Sequence, residues 1–196
     1  MKKTTLYNTH LALKAKMTSF GGYEMPIQYS NIKEEHLAVR NRLGVFDVSH
    51  MGEFYVSGTK ALDLLQLVCS NDISKIAVGK AQYNYFPNKT GGIVDDLIVY
   101  RLEEMRYLLV VNASNIEKDW DWINQNNLSF GARLENKSEE TALLAIQGPK
   151  AATAMQSLTA IDLGQLPYYS HITATFAGIP EVLLATTGYT GAGGIE

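Results

Sequence analysis

The chain has 196 residues, of which 46% are hydrophobic and 19% charged, with a formal net charge of -3. A chain of this length can bury one good core or two small ones, and its lack of basic excess argues against a nucleic acid partner. Because no apolar run reaches the roughly 20 residues of a membrane span and no secretory leader is recognisable, we expect a cytoplasmic protein without a membrane partner.

The first half of the chain is predicted to alternate helices with strands. Asn31-x-x-Glu34 is a pattern typical of a capping box, and it opens an amphipathic helix of about three turns that is expected to stop at Gly44. Alternating apolar residues predict a strand over 52–57, and helical spacing predicts a second helix over 59–68.

The cysteine and the histidines give no metal-ligand pattern. Cys69 is the one cysteine and lies in an apolar run, so we expect a buried thiol, no disulfide and a reducing compartment. His50 and the other histidines, His10, His36 and His171, lack ligand spacing. Structural or surface roles are favoured for them, and no metal is expected.

A meander of three strands is predicted next, over 81–86, 93–101 and 107–112, with connections of hairpin length. Ser114-x-x-Glu117 resembles a second capping box and predicts a helix that runs to about residue 126. Each of these elements follows its neighbour after only a few residues, which favours antiparallel pairing.

The last quarter of the chain repeats the alternation of strand and helix. A strand is predicted over 141–147, a helix from Gly148-Pro149 to about residue 158, and two further strands over 171–176 and 181–187. We therefore predict the α+β class, with helices packed on antiparallel sheets. We expect no repeat of fixed period.

Two adjacent carboxylates in the strand GGIVDDLIVY are the most informative feature of the sequence. Neighbouring strand residues point to opposite faces, so Asp95 and Asp96 are each expected among apolar side chains. A charge in such surroundings is costly unless it is paired or used. The alternative is that one Asp caps the turn at 90–92 and the other is solvated at a strand end.

Five segments in this order resemble the T-protein of the glycine cleavage system, an aminomethyltransferase. They are FGGYEMPIQYSNIKEEHLAVRNRLGVFDVSHMGEF, NKTGGIVDDLIVY, VVNASNIEKDW, LLAIQGPKA and TTGYTG. The resemblance extends from Leu6 to Glu196, but the family is longer. It implies that residues 1–196 form the N-terminal folate-binding portion, with two interleaved α+β subdomains, and that a barrel-like C-terminal domain is absent.

The resemblance implies a tetrahydrofolate-dependent enzyme whose protein substrate is the lipoylated H-protein. Ammonia leaves the aminomethyl group on the lipoyl arm, and the one-carbon unit passes to tetrahydrofolate. The second acidic residue of the family's GG-x-x-DD motif, here Asp96, would approach the folate N10. It would accept a proton or stabilise developing positive charge, whereas Asp95 would be structural.

Three further residues in the first two thirds of the chain match folate-binding positions of the family. Met51 and Tyr83 resemble residues that line the pterin pocket, where a flat ring needs apolar and aromatic walls. Asn112 resembles a folate-contacting residue. Core packing is the alternative for Met51 and Tyr83, and a plain turn residue is the alternative for Asn112.

Three residues near the C-terminus complete the implied site. Tyr168 and Tyr189 match aromatic positions near the folate, and Glu196 matches the acid that would pair with the amino edge of the pterin. The family usually has Glu where this chain has Ala192. This departure removes a side chain that supports the loop.

Two other classes of function are compatible with the resemblance. The first is a folate-binding relative of the iron–sulfur maintenance type, but those proteins carry a cysteine motif in a region where this chain reads GYTG. The second is an inactive module that lacks the part of the protein that completes the pocket.

Overall fold

The computed structural model describes all 196 residues. It contains five α-helices and twelve β-strands. The helices are α1 (Tyr7–Ala12), α2 (Ile32–Asn41), α3 (Ala61–Val68), α4 (Ile116–Asn127) and α5 (Ala151–Met155). The strands are β1 (Lys16–Phe20), β2 (Tyr23–Gln28), β3 (Gly44–Asp47), β4 (Gly52–Ser57), β5 (Lys80–Pro87), β6 (Ile93–Glu103), β7 (Arg106–Val111), β8 (Arg133–Asn136), β9 (Leu144–Gln147), β10 (His171–Phe176), β11 (Ile179–Ala185) and β12 (Gly194–Ile195).

The chain divides into two compact units, and the strands of each pair only in antiparallel fashion. Unit 1 consists of Met1–His50 together with Ala142–Glu196, and unit 2 consists of Met51–Thr141. Helices pack on these sheets, so the predicted α+β class is confirmed. No helix of the structure combines the length and the apolar character that crossing a membrane would require.

Unit 2 is built on a five-stranded sheet in the order β5-β6-β7-β4-β8. One face of this sheet packs on α3 and α4 around fully buried residues that include Phe54, Leu64, Tyr107 and Ile123. The three strands of the predicted meander are the first three strands of this sheet, and each matches its predicted range closely. Strand periodicity was a reliable signal here because the core face is continuous and apolar.

Unit 1 contains a three-stranded sheet in the order β12-β9-β3 and two separate hairpins, β1-β2 and β10-β11. Its core is smaller and contains Ala151, Met155, Leu163, Leu184 and Ile195. The β10-β11 hairpin turns at Ala177 and Gly178, which both have positive φ values, 51° and 81°. Positive φ at both turn residues is typical of a two-residue hairpin turn.

A buried histidine ties the N-terminal helix of unit 1 to its strands. The Nε2 of His10 lies 2.8 Å from Asp47 Oδ2, and its Nδ1 lies 2.8 Å from the hydroxyl of Tyr29. Thr4 donates to the same carboxylate at 2.6 Å. Burial raises the pKa of Asp47, but the hydrogen bonds from Thr4, Ser49 and His10 outweigh it, so that pKa is lowered.

One segment of the fold occurs twice, with an offset of 90 residues, a duplication that the sequence alone did not reveal. Residues 58–86 of unit 2 and 148–176 of unit 1 each run from a glycine through a short helix and a 3₁₀ turn into a hairpin strand. Lys60 and Lys150 precede the helices with nearly the same φ, -104° and -105°. Asp72 and Asp162 both cap the 3₁₀ turns with their side chains.

Two predicted helix starts need correction. Ser114 does not cap α4, because Asn115 precedes the first helical residue and its amide is used elsewhere. Gly148-Pro149 does not open α5 directly, since Lys150 is the residue before the helix, and α5 ends at Met155 before a 3₁₀ turn. Local polar patterns thus marked the right regions but not the terminal residues.

The predicted capping box of α2 is confirmed for Asn31 but not for Glu34. The side chain of Asn31 accepts from the backbone N–H groups of Lys33 and Glu34, as an N-cap should. The bonds back to the residues before the helix are made by Glu35 instead, whose carboxylate accepts from the backbone N–H groups of Tyr29 and Ser30.

Candidate active site

Strand register brings three of the predicted site residues together in unit 2. β6 pairs with β7 so that Leu97 is opposite Val111. The antiparallel register therefore places Asp96 opposite Asn112, the residue that directly follows β7. Tyr83 pairs with Ile98 from the other side of β6 and therefore lies on the same face as Asp96. The three residues meet although Tyr83 and Asn112 are 29 positions apart in the sequence.

The carboxylate of Asp96 receives two short hydrogen bonds from these neighbours. The Tyr83 hydroxyl donates to Oδ2 at 2.6 Å, and the Asn112 amide donates to Oδ1 at 2.7 Å. Tyr83 is 50% exposed, so the core-packing alternative for it is wrong. Asp96 itself is half-buried and is held in a fixed orientation by both donors.

Neither aspartate caps the preceding turn, so that alternative is wrong. The turn is held by Asn88, whose Oδ1 accepts from the backbone N–H of Thr90 at 3.0 Å and of Gly92 at 2.9 Å. Asp95 shares the buried apolar face of β6 with Leu97 and Val99, as expected, whereas Asp96 lies half-buried on the opposite face. Their hydrogen-bond partners are polar side chains from β5 and from the segment that joins β7 to α4.

Asp95 points to the core face of β6 and is buried. Its carboxylate accepts from the amide of Asn115 at 2.8 Å and from the amide of Asn112 at 3.1 Å. Asp119, in the first turn of α4, is fully buried, and neither of its carboxyl oxygens has a hydrogen-bond partner. Burial is the main cause that raises the pKa of Asp119 to about 8, and the neighbouring Asp95 carboxylate adds to the rise.

Glu53 is a second buried acid of unit 2 that sequence reasoning missed. It lies on β4, is 2% exposed, and neither of its carboxyl oxygens has a hydrogen-bond partner. Burial raises its pKa to about 8, so the side chain is mostly neutral at pH 7. Both faces of β4 are buried at this point, and a strand pattern that predicts one apolar face cannot reveal that.

Unit 1 contains a cavity of about 470 Å³ that two predicted site residues line. Tyr168 and Tyr189 contribute aromatic walls and are 76% and 100% exposed. The rest of the lining comes from Gln147, from Ala152 of α5, from Leu163, Gly164 and Leu166 around the 3₁₀ turn, and from the glycine-rich loop 186–194 with Ile195. Exposed aromatic side chains at an open cavity are available to stack on a flat ligand.

Gln147 is the polar residue of this cavity that sequence reasoning did not select. It is 2% exposed, its Oε1 accepts from the Thr190 hydroxyl at 2.8 Å, and its Nε2 has no hydrogen-bond partner. A Cβ on Gly188 would lie 2.8 Å from this Oε1, and one on Gly194 would collide with the Ile146 carbonyl oxygen. The loop therefore needs glycine at both positions to close over Gln147.

Glu196 is anchored within unit 1. Its backbone N–H and carbonyl pair with Ala185 at 2.8 Å each, and the Thr187 hydroxyl donates to its carboxylate. Burial raises the pKa of Glu196, and the bond from Thr187 opposes that rise. Thr187 also lines the cavity, so Glu196 is tied to its wall.

Met51 and Cys69 lie at the ends of elements in unit 2. Met51 is half-buried and directly precedes β4, and its predicted place in a pterin pocket stays a prediction. Cys69 is buried at the end of α3, and burial raises the pKa of its thiol to about 12. No group of three or more His, Cys, Asp or Glu side chains is arranged to hold a metal ion.

The family model of the GCVT N-terminal domain matches residues 6–196. The chain therefore belongs to this family, and the resemblance drawn from its motifs is confirmed. Proteins named aminomethyltransferase from Phocaeicola vulgatus and Flavobacterium psychrophilum are each 58% identical to it over 196 residues. These alignments cover 100% of this chain and 54% of each relative, so the chain spans about half the length of the curated relatives it matches.

Two solved structures resemble the fold. The aminomethyltransferase T of the glycine cleavage system from Bartonella henselae superposes with a TM-score of 0.90 at 32% identity, covering 99% of this chain and 52% of that one. Heterotetrameric sarcosine oxidase from Corynebacterium sp. U-96, solved with pyrrole 2-carboxylate, reaches a TM-score of 0.57 at 19% identity over 80% of this chain and 77% of that one. The second likeness concerns the fold alone.

Proposed function

We propose that this chain is the N-terminal portion of an aminomethyltransferase of glycine cleavage. The reaction releases ammonia from the aminomethyl group carried on the lipoyl arm of the H-protein and transfers the one-carbon unit to tetrahydrofolate. The names of relatives at 58% identity support this activity. The observation that carries it is the Asp96 carboxylate, held at 2.6 and 2.7 Å by Tyr83 and Asn112.

Asp96 is proposed as the catalytic residue. A carboxylate fixed by two donors cannot rotate away from a reacting nitrogen, so it can orient folate N10 and accept its proton. The same negative charge stabilises positive charge that develops during transfer. Tyr83 and Asn112 keep one oxygen each in place, and Asp95 serves a structural role beneath them.

The cavity of unit 1 is proposed to contact the pterin part of the folate. Tyr168 and Tyr189 offer faces for a flat ring, and Gln147 offers an N–H group without a partner. Glu196 offers a carboxylate that can accept from the amino edge of the ring. Aromatic walls with one donor and one acceptor match the chemistry of a pterin, and Met51 is proposed as an apolar contact.

The lipoylated H-protein is the proposed protein partner, and the cytoplasm is the proposed compartment. A C-terminal domain beyond this portion is proposed to complete the active protein, in keeping with the 54% coverage of the relatives. The 196-residue chain alone should then bind reduced folate more weakly than the longer protein. Titration calorimetry with tetrahydrofolate compares the two, and equal affinity would contradict this part of the proposal.

The decisive experiment is Asp96→Asn in the protein extended to the length of its relatives, with Asp95→Asn as the matched control. We expect Asp96→Asn to lower the rate of methylene transfer about 10²-fold or more, the scale of general acid–base assistance, with little change in the unfolding midpoint. Asp95→Asn should act mainly on stability. An equal rate loss in both variants would argue against a catalytic role specific to Asp96.

A further inference from the structure

Arg40 is a charged residue of unit 1 that the proposed reaction does not use directly. It lies in the last turn of α2, and its exposed guanidinium reaches the glycine-rich loop 186–194. Its Nη1 donates to the carbonyl of Thr190 at 2.5 Å, and its Nη2 donates to the carbonyl of Gly191 at 3.0 Å. One planar side chain thus holds two successive peptide groups of the loop.

The backbone of the loop is shaped for this double contact. Successive carbonyls of an extended strand point to opposite sides, so one guanidinium reaches two of them only where the chain turns. The two carbonyls flank the Cα of Gly191, whose φ of +67° lies in the left-handed region that glycine adopts without a steric cost. A Cβ on Gly191 would meet nothing within 4 Å, so this glycine serves the turn and not a close contact.

Thr190 is held from two sides. Its carbonyl accepts from Arg40, and its hydroxyl donates to Oε1 of Gln147 at 2.8 Å. Gln147 is buried in β9. Further along the loop, the carbonyl of Gly193 accepts from the backbone N–H of Gly148 at 2.7 Å. The tip of the loop is therefore supported by one buried amide and one exposed guanidinium.

The position of Tyr189 depends on these supports. Tyr189 lines the cavity of unit 1 and is 100% exposed, so packing against the rest of the protein does not fix its ring. The backbone must fix it instead, and the next residue is Thr190 with its bonds to Arg40 and Gln147. Without the bonds from Arg40, more conformations become accessible to the ring, and ordering it on binding then lowers the affinity for a ligand.

We propose that Arg40 is a positioning residue for the cavity of unit 1, because its guanidinium holds the loop 186–194 so that the Tyr189 ring is ready to stack on a flat ligand. The identity of that ligand as tetrahydrofolate rests on the proposed function, whereas the hold of Arg40 on the loop does not. Both acceptors are neutral carbonyls, so the fork of N–H groups matters more than the charge. Lysine keeps the charge but lacks this planar fork, and we expect it to replace Arg40 poorly.

Hydrogen–deuterium exchange tests the hold of Arg40 on the loop without reference to activity. Arg40 is exposed, so its variants should fold. In Arg40→Ala of the protein extended to the length of its relatives, the backbone amides of 188–192 should exchange about tenfold faster, because the loop opens more often. Arg42→Ala removes a positive charge two positions further along and is the matched control. Unchanged exchange in Arg40→Ala, or equal acceleration in Arg42→Ala, would overturn the proposal.

Calorimetry and steady-state kinetics of the same extended protein test the positioning role. We expect Arg40→Ala to weaken tetrahydrofolate binding about tenfold and to raise KM for folate to the same extent, with kcat at saturating folate within about twofold of the wild type. Arg40→Lys should lose most of this affinity as well, and Arg42→Ala should keep it. Full affinity in Arg40→Lys, or a kcat that falls while KM is unchanged, would overturn the role.

The two proposals can fail separately. A wild-type protein that does not bind tetrahydrofolate contradicts the proposed function, and the exchange experiment then decides alone whether Arg40 holds the loop. A wild-type protein that binds tetrahydrofolate, with an Arg40→Ala variant that binds it equally well despite faster exchange, overturns the positioning role and leaves the proposed function intact.

Discussion

The duplicated segments, 58–86 in unit 2 and 148–176 in unit 1, have the same backbone plan but carry different chemistry. Gln66 and Gln156 both accept from the first residue of the following 3₁₀ turn, Ile73 or Leu163, at 3.0 Å. Both segments then lead into a hairpin. The copied part is therefore scaffold, and the functional groups lie largely on the elements that come after it.

The segments that follow the two copies differ in how their polar side chains are arranged. In unit 2, β6 carries Asp95 and Asp96, whose carboxylates receive hydrogen bonds from Tyr83, Asn112 and Asn115. In unit 1, the second hairpin strand leads into a glycine-rich loop around a cavity with exposed aromatic walls. The first region is organised to hold a charge in place, and the second is open to receive a ring.

The largest expected effect comes from a glycine that both copies share. A Cβ on Gly148, where φ is +135°, would lie 2.5 Å from the Arg42 carbonyl oxygen, whereas a Cβ on the equivalent Gly58 would meet nothing within 4 Å. We expect Gly148→Ala to lower the free energy of unfolding by about 3 kcal/mol, and Gly58→Ala by about 1 kcal/mol from backbone strain alone. Urea unfolding of both variants measures the difference, and equal costs would remove this contrast between the units.

The second test uses the buried acids of unit 2. The pKa of Asp119 and that of Glu53 are both raised to about 8, so each group takes up a proton on folding between about pH 5 and 8. The free energy of unfolding should then fall as the pH rises, by about 1.4 kcal/mol per pH unit for each group.

Two matched variants test which acid causes this pH dependence of the free energy of unfolding. Asp119→Asn and Glu53→Gln should each remove about one proton from the pH dependence, as measured by urea unfolding at a series of pH values between about 5 and 8. The double variant should show almost none of the decline. A slope that both single variants leave unchanged would mean that neither acid is neutral in the folded protein.

A smaller effect is expected from the phenol that holds Asp96. Tyr83→Phe removes the 2.6 Å bond to Oδ2 and should lower methylene transfer about tenfold, because a hydrogen bond to a charged group contributes about 1.5 kcal/mol or more. Tyr85→Phe, two residues further along the same face, is the control and should stay within about twofold of the wild type. Steady-state kinetics of the full-length protein would compare them.

The smallest effect on stability is expected in the cavity of unit 1. Tyr189 is 100% exposed, so Tyr189→Ala should change the free energy of unfolding by less than about 0.5 kcal/mol. Under the proposed function it should weaken tetrahydrofolate binding about tenfold, as measured by calorimetry. Leu128→Ala, at an 88% exposed position of unit 2, should alter neither quantity. Unchanged affinity in Tyr189→Ala would separate this cavity from the folate.

Much of the sheet of unit 2 could be predicted because its strands have long apolar periods and short turns. The small elements of unit 1 could not. β1, β2 and β3 are four to six residues long and contain one buried residue among them, so they lack the alternation that identifies a strand. The duplication was missed because few residues recur at equivalent positions. Identical pairs include Gly58 and Gly148, Lys60 and Lys150, Gln66 and Gln156, and Asp72 and Asp162.

Site residues could be predicted where a sequence motif placed them on a strand. Residues whose burial and hydrogen bonding depend on tertiary contacts could not be predicted. Asp95 and Asp96 stood out as charges in an apolar run. Asp119 and Gln147 gave no such signal, because a first-turn acid and a strand-end amide are ordinary choices in sequence. Their burial comes from residues distant in the chain, and only the structure contains that information.

The division of the chain has a consequence for biosynthesis. Unit 2 is one continuous stretch, whereas unit 1 needs both Met1–His50 and Ala142–Glu196. At about 5 to 20 residues per second, the early half of unit 1 leaves the ribosome several seconds before its other half. Strand β3 lacks its partner β9 throughout that interval. The inserted unit can therefore complete its fold first, whereas the nascent N-terminal segment has to wait for its partner strand.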